Sequence, residues 1–327
     1  MRLIQTSTTV PLSSVKPLEE VFQYRAFCLE ATRRALAAGP TTVRARSPVS
    51  NARLEPWEAI EGLPYSRCPD SGSLLLSRLP ADSARWAELL REVSRHRVSS
   101  RGFYPGLAQS RADHVHAPKV EWMLETMRLH GLDRPRVLEV TTPPSAISAL
   151  LQASGRFSDL LVEDEMALAH ERTPRPSADQ VEAAMLCESL DRVDDPAALL
   201  RAVAGRLVDG GLLFVTALVA SGFDLAVLGC RSAYLYPPDR ANCFSLRGLS
   251  LLLERSGFAL QEVSTPGMLD VEIIQAHLQH EASLPLSVFE RQLVTADHET
   301  QRAFQTFLQQ QALSSFARLV GRKHSEG

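Results

Sequence analysis

Short apolar runs alternate with amphipathic segments through the second half of the chain, and this alternation constrains the fold more than any other feature. The apolar runs lie at residues 137–140, 160–162, 181–187, 212–217 and 258–263. Helical periodicity follows at 197–207 and 246–256. Strands that alternate with helices through short turns form a parallel sheet covered on both faces. We therefore expect a doubly wound, Rossmann-like α/β sheet.

The segments on either side of this alternating part differ from it in composition, and the chain divides into four regions. Residues 1–40 form a tail and a helix that ends at Gly39-Pro40, and residues 41–118 are a turn-rich region with a linker. Residues 119–275 hold the α/β domain, with a last strand expected at 271–275. Residues 276–327 read as a helical C-terminal extension.

Several stretches occur in one order that is typical of a known family. They are VLEV at 137–140, CESLDRVDDP at 187–196, LVDGGLLFVT at 207–216 and STPGMLDVEII at 264–274. The chain resembles the class I S-adenosylmethionine (SAM) dependent methyltransferases, in the branch with an N-terminal zinc ribbon and a C-terminal extension. Members of that branch modify sugars or other small molecules. The resemblance implies a cofactor site at the carboxyl ends of the first strands.

The cofactor positions depart from that pattern. The family has a glycine-rich loop after the first strand, where this chain reads Thr141-Thr142-Pro143-Pro144-Ser145. Threonine resists a positive φ, and proline has no N–H to donate. The resemblance leaves Glu139, Thr141, Ser145 and Glu163 as candidate cofactor residues, with Glu163 placed to accept hydrogen bonds from ribose hydroxyls. We predict that the chain binds no cofactor.

The segment after the second strand is also short. Only fifteen residues separate Glu163 from Asp179. A further helix and strand would use about 16 residues without their loops. We therefore predict that the strand which frames the adenine in the family is missing.

The polar residues of the catalytic positions differ as well. Candidates are Asp191, Tyr234, Asp239 and Arg240. Asp191-Arg192 stands where the branch has Glu-His, and Arg240 stands where it has a histidine. Arginine cannot act as a general base near neutral pH, because its guanidinium group stays protonated there.

The zinc ribbon has lost its ligands in this sequence. The four cysteine positions of the branch read Ser47, Ser50, Cys68 and Ser71, and a closed zinc site needs four thiolates or imidazoles. We predict a ribbon-like region that holds no metal. His114 and His116 would share one face of a strand, but no further ligands accompany them.

Net charge and hydropathy argue against nucleic-acid-binding and membrane-spanning proteins. The net charge of −3 argues against a nucleic-acid partner, and no apolar segment approaches the ~20 residues of a membrane span. We expect a cytoplasmic protein. The leading hypothesis is a methyltransferase-like pseudo-enzyme that binds a protein partner, such as an active relative, or a sugar-like molecule. The alternatives are an active SAM-dependent methyltransferase with an atypical cofactor loop, and an enzyme that reuses the pocket without methyl transfer.

Overall fold

The computed structural model describes residues 10–98, 106–142, 145–171 and 179–324. Its centre is a six-stranded sheet of order β11-β12-β9-β8-β6-β7. The strands are β6 (Arg136–Val140), β7 (Asp159–Glu163), β8 (Val181–Cys187), β9 (Leu207–Leu218), β11 (Phe258–Ser264) and β12 (Phe316–Lys323). β7, β6, β8 and β9 are parallel, while β12 is antiparallel to both β9 and β11. The expected Rossmann-like α/β fold is confirmed, as a mixed sheet.

Both faces of the sheet are apolar because successive side chains of a strand point to opposite sides. On β8, Ala184 and Leu186 face one core cluster, and Ala183 and Met185 face the other. The first face packs against α8 (Pro196–Arg206) and α10 (Leu246–Arg255), and the second against α5 (Ala117–Leu129) and α6 (Ala146–Ser154). This double cover explains why β8 reads as one apolar run.

The end of the chain differs from the sequence expectation in two places. Residues 271–275 lie in the helix α11 (Asp270–His280), so the predicted last strand is wrong. Val271, Ile273, Ile274 and His277 are buried with helical spacing, which the β-branched composition concealed. The extension contains α12 (Val288–Val294) and α13 (His298–Gln310), but it continues as β12, inserted between β9 and β11.

The N-terminal region is tied to the sheet domain by a shared strand pair. A four-stranded sheet runs in the order β10-β4-β3-β2, with β2 (Glu55–Ile60), β3 (Leu63–Arg67), β4 (Leu74–Leu76) and β10 (Asn242–Cys243). β10 comes from the sheet domain and pairs with β4 at Asn242↔Leu75 and Cys243↔Leu74. β1 (Thr41–Val43) and β5 (Arg78–Pro80) form a separate pair.

Helices complete the described parts of the molecule. They are α1 (Leu12–Val15), α2 (Leu18–Ala37), α3 (Ser83–Val98), α4 (Ala108–Arg111), α7 (Glu165–Ala169) and α9 (Phe223–Leu228). A π-helical turn, Ala112–His116, joins α4 to α5. None of the helices in the described ranges is long and apolar enough to cross a membrane.

The C-terminal helix α13 packs against the domain through one face. Substitutions of two neighbouring residues should therefore differ in their effect on stability. Leu308 is 1% exposed, whereas Phe307 is 47% exposed. Leu308→Ala should lower the free energy of unfolding by about 2–5 kcal/mol through lost burial and a cavity. Phe307→Ala should change it by less than ~1 kcal/mol. Urea denaturation of both variants measures this, and equal losses would show that α13 packs in another orientation.

Candidate functional site

Glu139 organises the carboxyl end of β6. Its side chain is 1% exposed and accepts hydrogen bonds from the hydroxyls of Ser145, at 2.5 Å, and Ser148. Ser145 is also the N-cap of α6, because its Oγ accepts from the amides of Ile147 and Ser148. The carboxylate therefore lies at the positive end of a helix. Burial raises the pKa of Glu139, and the two serine hydrogen bonds oppose that rise.

Glu163 ends the adjacent strand and forms an ion pair with Arg206. Arg206 is buried, whereas the Glu163 side chain keeps 17% of its area exposed. The backbone amide of Thr141 donates to the Glu163 carbonyl at 2.9 Å, so the two strand ends are held together. The candidate cofactor residues Glu139, Thr141, Ser145 and Glu163 thus share one edge of the sheet.

Two segments of the chain lie outside the described residues. They are Pro143-Pro144 and residues 172–178. In the described parts of the segment between β7 and β8, the chain forms the five-residue helix α7 and no strand. β7 is therefore the edge of the sheet as described.

A second group of charged residues lies at the carboxyl end of β8. Lys119 Nζ is 3.0 Å from Glu188 Oε1, and Arg240 Nη2 is 2.7 Å from Glu188 Oε2. Arg240 Nη1 is 3.4 Å from Asp191 Oδ2. Lys16, between α1 and α2, lies beside them and over the ring of Tyr234, with its Nζ 5.1 Å from the ring centroid. We call Lys16, Lys119, Glu188, Asp191 and Arg240 the Glu188 cluster.

The backbone at Glu188 has a φ of +62°, in the left-handed region that non-glycine residues rarely adopt. Its amide donates to the Thr216 carbonyl at 2.8 Å, which holds this conformation in place. Strained residues of this kind concentrate at functional sites.

The charges within the Glu188 cluster shift each other's protonation. Burial lowers the pKa of Lys16 to about 8; Glu188 opposes this shift, and Lys119 and Arg240 add to it. Lys119 and Arg240 hold the pKa of Glu188 well below its ordinary value, despite burial. Burial raises the pKa of Asp191 to about 7, although Arg240 counteracts the rise. The cluster therefore holds a permanent anion, Glu188, beside a carboxyl group that titrates near neutrality.

The structure separates the four catalytic candidates. Asp191 and Arg240 lie in the Glu188 cluster, and the Tyr234 hydroxyl donates to the Lys16 carbonyl at 3.4 Å. Asp239 instead accepts two hydrogen bonds from Arg97, at 2.7 and 2.8 Å. The hydrogen bonds between Arg97 and Asp239 fix the loop that carries Arg240. Asp239 therefore helps to orient Arg240 without belonging to the cluster.

Sequence reasoning missed Lys16, Lys119 and Glu188. One signal could have found two of them, because only three of the 35 basic residues are lysines. Two of the three, Lys16 and Lys119, lie in the Glu188 cluster. Because almost all of the other basic residues are arginines, two lysines in one cluster are a distinctive feature.

The four ribbon positions converge in space. Ser50 Oγ lies 3.5 Å from Cys68 Sγ, and hydroxyl groups of Ser47, Ser50 and Ser71 lower the pKa of the Cys68 thiol against its burial. Ser71 also packs against α10, where its carbonyl accepts from the Ser245 hydroxyl. His114 and His116 lie in the π-helical turn and not on a strand. Within the described ranges, no group of three or more His, Cys, Asp and Glu residues is placed to hold a metal ion.

Comparison with known proteins identifies the sheet domain. Residues 121–263 match a protein-family model described as a methyltransferase domain. These residues form a domain with a methyltransferase fold. No curated protein matches the chain.

Solved structures with a similar fold include three methyltransferases. A SAM-dependent methyltransferase from Thermotoga maritima shares 13% identity over 73% of this chain and 98% of its own, with a TM-score of 0.40. The plantazolicin methyltransferase BpumL, in complex with SAH, shares 14% over 73% and 98%, with a TM-score of 0.40. Coclaurine N-methyltransferase, bound to N-methylheliamine and SAH, shares 12% over 64% and 73%, with a TM-score of 0.39.

The prediction that no cofactor binds is wrong. The family model that matches residues 121–263 describes a methyltransferase domain, and this conflicts with the prediction of no cofactor. The sequence argument for that prediction rests on the missing glycine loop, the short segment after Glu163 and the absent histidines, although the helix N-terminus and the two strand-end carboxylates remain.

The raised pKa of Asp191 predicts a pH-dependent stability. A carboxyl whose pKa is higher in the folded state stabilises the fold at low pH, and this contribution is lost as pH rises from about 4 to about 7. Over that range, Asp191→Asn should gain stability relative to the wild type, by at most ~1.4 kcal/mol per pH unit. Denaturant titrations at several pH values measure the difference. The exposed control Asp133→Asn should show no such trend, and a flat difference for Asp191→Asn would contradict the burial argument.

The converging ribbon positions predict that zinc binding can be engineered. Two sulfurs on one tetrahedral zinc lie about 3.8 Å apart, close to the 3.5 Å between Ser50 Oγ and Cys68 Sγ. The triple variant S47C/S50C/S71C should bind one zinc per chain and melt at a higher temperature, because metal binding adds to folding free energy. Elemental analysis and melting with and without chelator measure this. The double variant S47C/S71C is the control, and a triple variant without zinc would show that the side chains do not converge.

Proposed function

We propose that the chain is a SAM-dependent methyltransferase that acts on a small polar molecule. One observation carries this proposal: the carboxyl edge of a methyltransferase sheet holds two polar compartments side by side. The first contains Glu139, the N-terminus of α6 and Glu163. The second is the Glu188 cluster. In doubly wound sheets, ligands bind outside the carboxyl ends of the strands.

The first compartment has the chemistry that SAM requires. Glu163 is a carboxylate at a strand end, with exposed area beside its ion pair, so it can accept hydrogen bonds from ribose hydroxyls. Glu139 is too deeply buried to serve directly; it orients α6 through Ser145 and Ser148. When bound, SAM supplies an activated methyl group on a sulfonium sulfur.

The second compartment would bind the methyl acceptor and take up its proton. Of the four catalytic candidates, Arg240 stays charged, Tyr234 has a raised pKa and Asp239 is paired with Arg97. Asp191 remains, with a pKa of about 7 and an Oδ1 without a hydrogen-bond partner in the described structure. A general base works best when its pKa lies near the working pH.

A titration with SAH tests the cofactor assignment. The wild type should bind SAH saturably, and Glu163→Gln should weaken binding about tenfold to a hundredfold, because hydrogen bonds to a charged acceptor are lost. Calorimetry measures the affinity, and the exposed Glu121→Gln is the matched control. Circular dichroism must show that Glu163→Gln is folded, since Arg206 loses its partner. A wild type that produces no saturable heat would refute the proposal.

A second candidate function is a SAM-binding subunit without methyl transfer, which works through a protein partner such as an active relative. Arg240 favours it, because the resemblance places a histidine at its position and an arginine side chain cannot accept a proton near neutral pH. Methyl transfer to a pool of small polar metabolites separates the two candidates. Transfer that Asp191→Asn lowers at least a hundredfold in kcat would support the enzyme. Tight SAH binding without any transfer, together with a stable complex with a relative, would support the subunit.

A further inference from the structure

The Glu188 cluster carries more positive charge than its own acids neutralise. Lys16, Lys119 and Arg240 surround Glu188. Of the two acids in the cluster, Glu188 has a lowered pKa, whereas burial raises the pKa of Asp191 to about 7. Asp239 also faces Arg240, but it is paired with Arg97. The lowered pKa of Lys16 has burial and these neighbouring cations as causes. Buried charge without a partner is costly, so the excess calls for an anion from outside.

The N-terminal segment holds Lys16 over the cluster through contacts with three distant parts of the chain. The amide of Leu12 donates to Glu272 at 2.7 Å, and Arg111 donates to the Val15 carbonyl at 2.7 Å. The Tyr234 hydroxyl donates to the Lys16 carbonyl at 3.4 Å. The Lys16 ammonium lies beside the ring of Tyr234. The segment therefore places one positive group near Glu188.

From this geometry we infer that Lys16, Lys119 and Arg240 form a subsite for an anionic group of the methyl acceptor, a carboxylate or a phosphate. The inference rests on the proposed function and adds the substrate class. Lys119 and Arg240 each donate to Glu188, and Arg240 Nη1 also donates to the Asp239 carbonyl and lies 3.4 Å from Asp191 Oδ2. The N–H groups left for a ligand are those of Lys119 Nζ and the second N–H of Arg240 Nη2. Lys16 closes the subsite from the N-terminal segment. Ammonium groups suit this role, because they are compact charges that approach an oxygen from any direction.

The first test is calorimetry of the full chain at pH 7 with inorganic phosphate and, separately, acetate, each with and without saturating SAH. The wild type should bind at least one of the two anions saturably. Lys16→Met should weaken that binding about tenfold or more, because it removes a charged donor and leaves both Glu188 ion pairs intact. Lys323→Met, which removes the lysine outside the cluster, should leave it unchanged. No saturable heat with either anion would overturn the inference.

A second measurement separates the substrate anion from the carboxylate of the cofactor itself. SAH carries a carboxylate, whereas 5′-methylthioadenosine has the adenosyl group without it. If the anion subsite belongs to the methyl acceptor, Lys16→Met should bind both compounds with the affinity of the wild type. Weaker binding of SAH alone would place the cofactor carboxylate on the cluster and overturn the inference. Anion binding that Lys16→Met abolishes, in a chain that gives no heat with SAH, would support the subsite while refuting the proposed function.

Discussion

Glu188 joins parts of the chain that are far apart in sequence. Its two carboxylate oxygens accept from Lys119, on the helix before β6, and from Arg240, in the loop before β10. Its own backbone ends β8 in a left-handed conformation. Lys119 and Arg240 are largely buried, whereas the Glu188 side chain keeps 34% of its area exposed. Glu188 thus joins the start of α5 and the loop that carries Arg240, which Asp239 also fixes through Arg97, at the carboxyl edge of the sheet.

A second set of hydrogen bonds explains how the ribbon region keeps its turns with serines in place of thiolates. The Ser245 amide donates to Ser73 at 3.0 Å, and its hydroxyl donates to the Ser71 carbonyl. Gly248 permits this contact, because a Cβ there would lie 2.2 Å from Ser73 Oγ. β10 adds a strand of the sheet domain to the same small sheet. The region is thus held by packing against α10 and by backbone pairing.

β6, β8 and β9 were predictable because each contains an apolar run with buried side chains on both faces. β7 was predictable from the run Leu160-Leu161-Val162, although it lies at the edge of the described sheet and Val162 is 39% exposed. β12 was missed because Phe316–Lys323 alternates small, charged and apolar residues. The strand predicted at 271–275 was wrong because β-branched composition does not distinguish a buried strand from a buried helix face. There, Asp270 accepts from Ser314, Ser315 and Gln305, a contact between distant residues that periodicity cannot reveal.

The site was predictable only in part. The family resemblance pointed to Glu139, Thr141, Ser145 and Glu163, and parallel strands present their carboxyl ends at one edge. Lys16 and Lys119 reach the cluster from the N-terminal segment and from α5, and only tertiary packing brings them to β8. The prediction of no cofactor rested on the missing glycine loop, the short segment after Glu163 and the absent histidines, and it was wrong. A glycine-rich loop is one way to form a binding site at a helix N-terminus. This chain has a different arrangement there, in which Ser145 caps α6 beside the buried carboxylate of Glu139.

The division of the carboxyl edge into a cofactor compartment and an anion compartment is the central claim. A crystal structure of the full chain with SAH and phosphate tests it most directly. The account predicts the SAH ribose at Glu163 and a phosphate within hydrogen-bond distance of Lys16, Lys119 and Arg240. An SAH carboxylate bound to Lys119 and Arg240, with phosphate elsewhere, would contradict it.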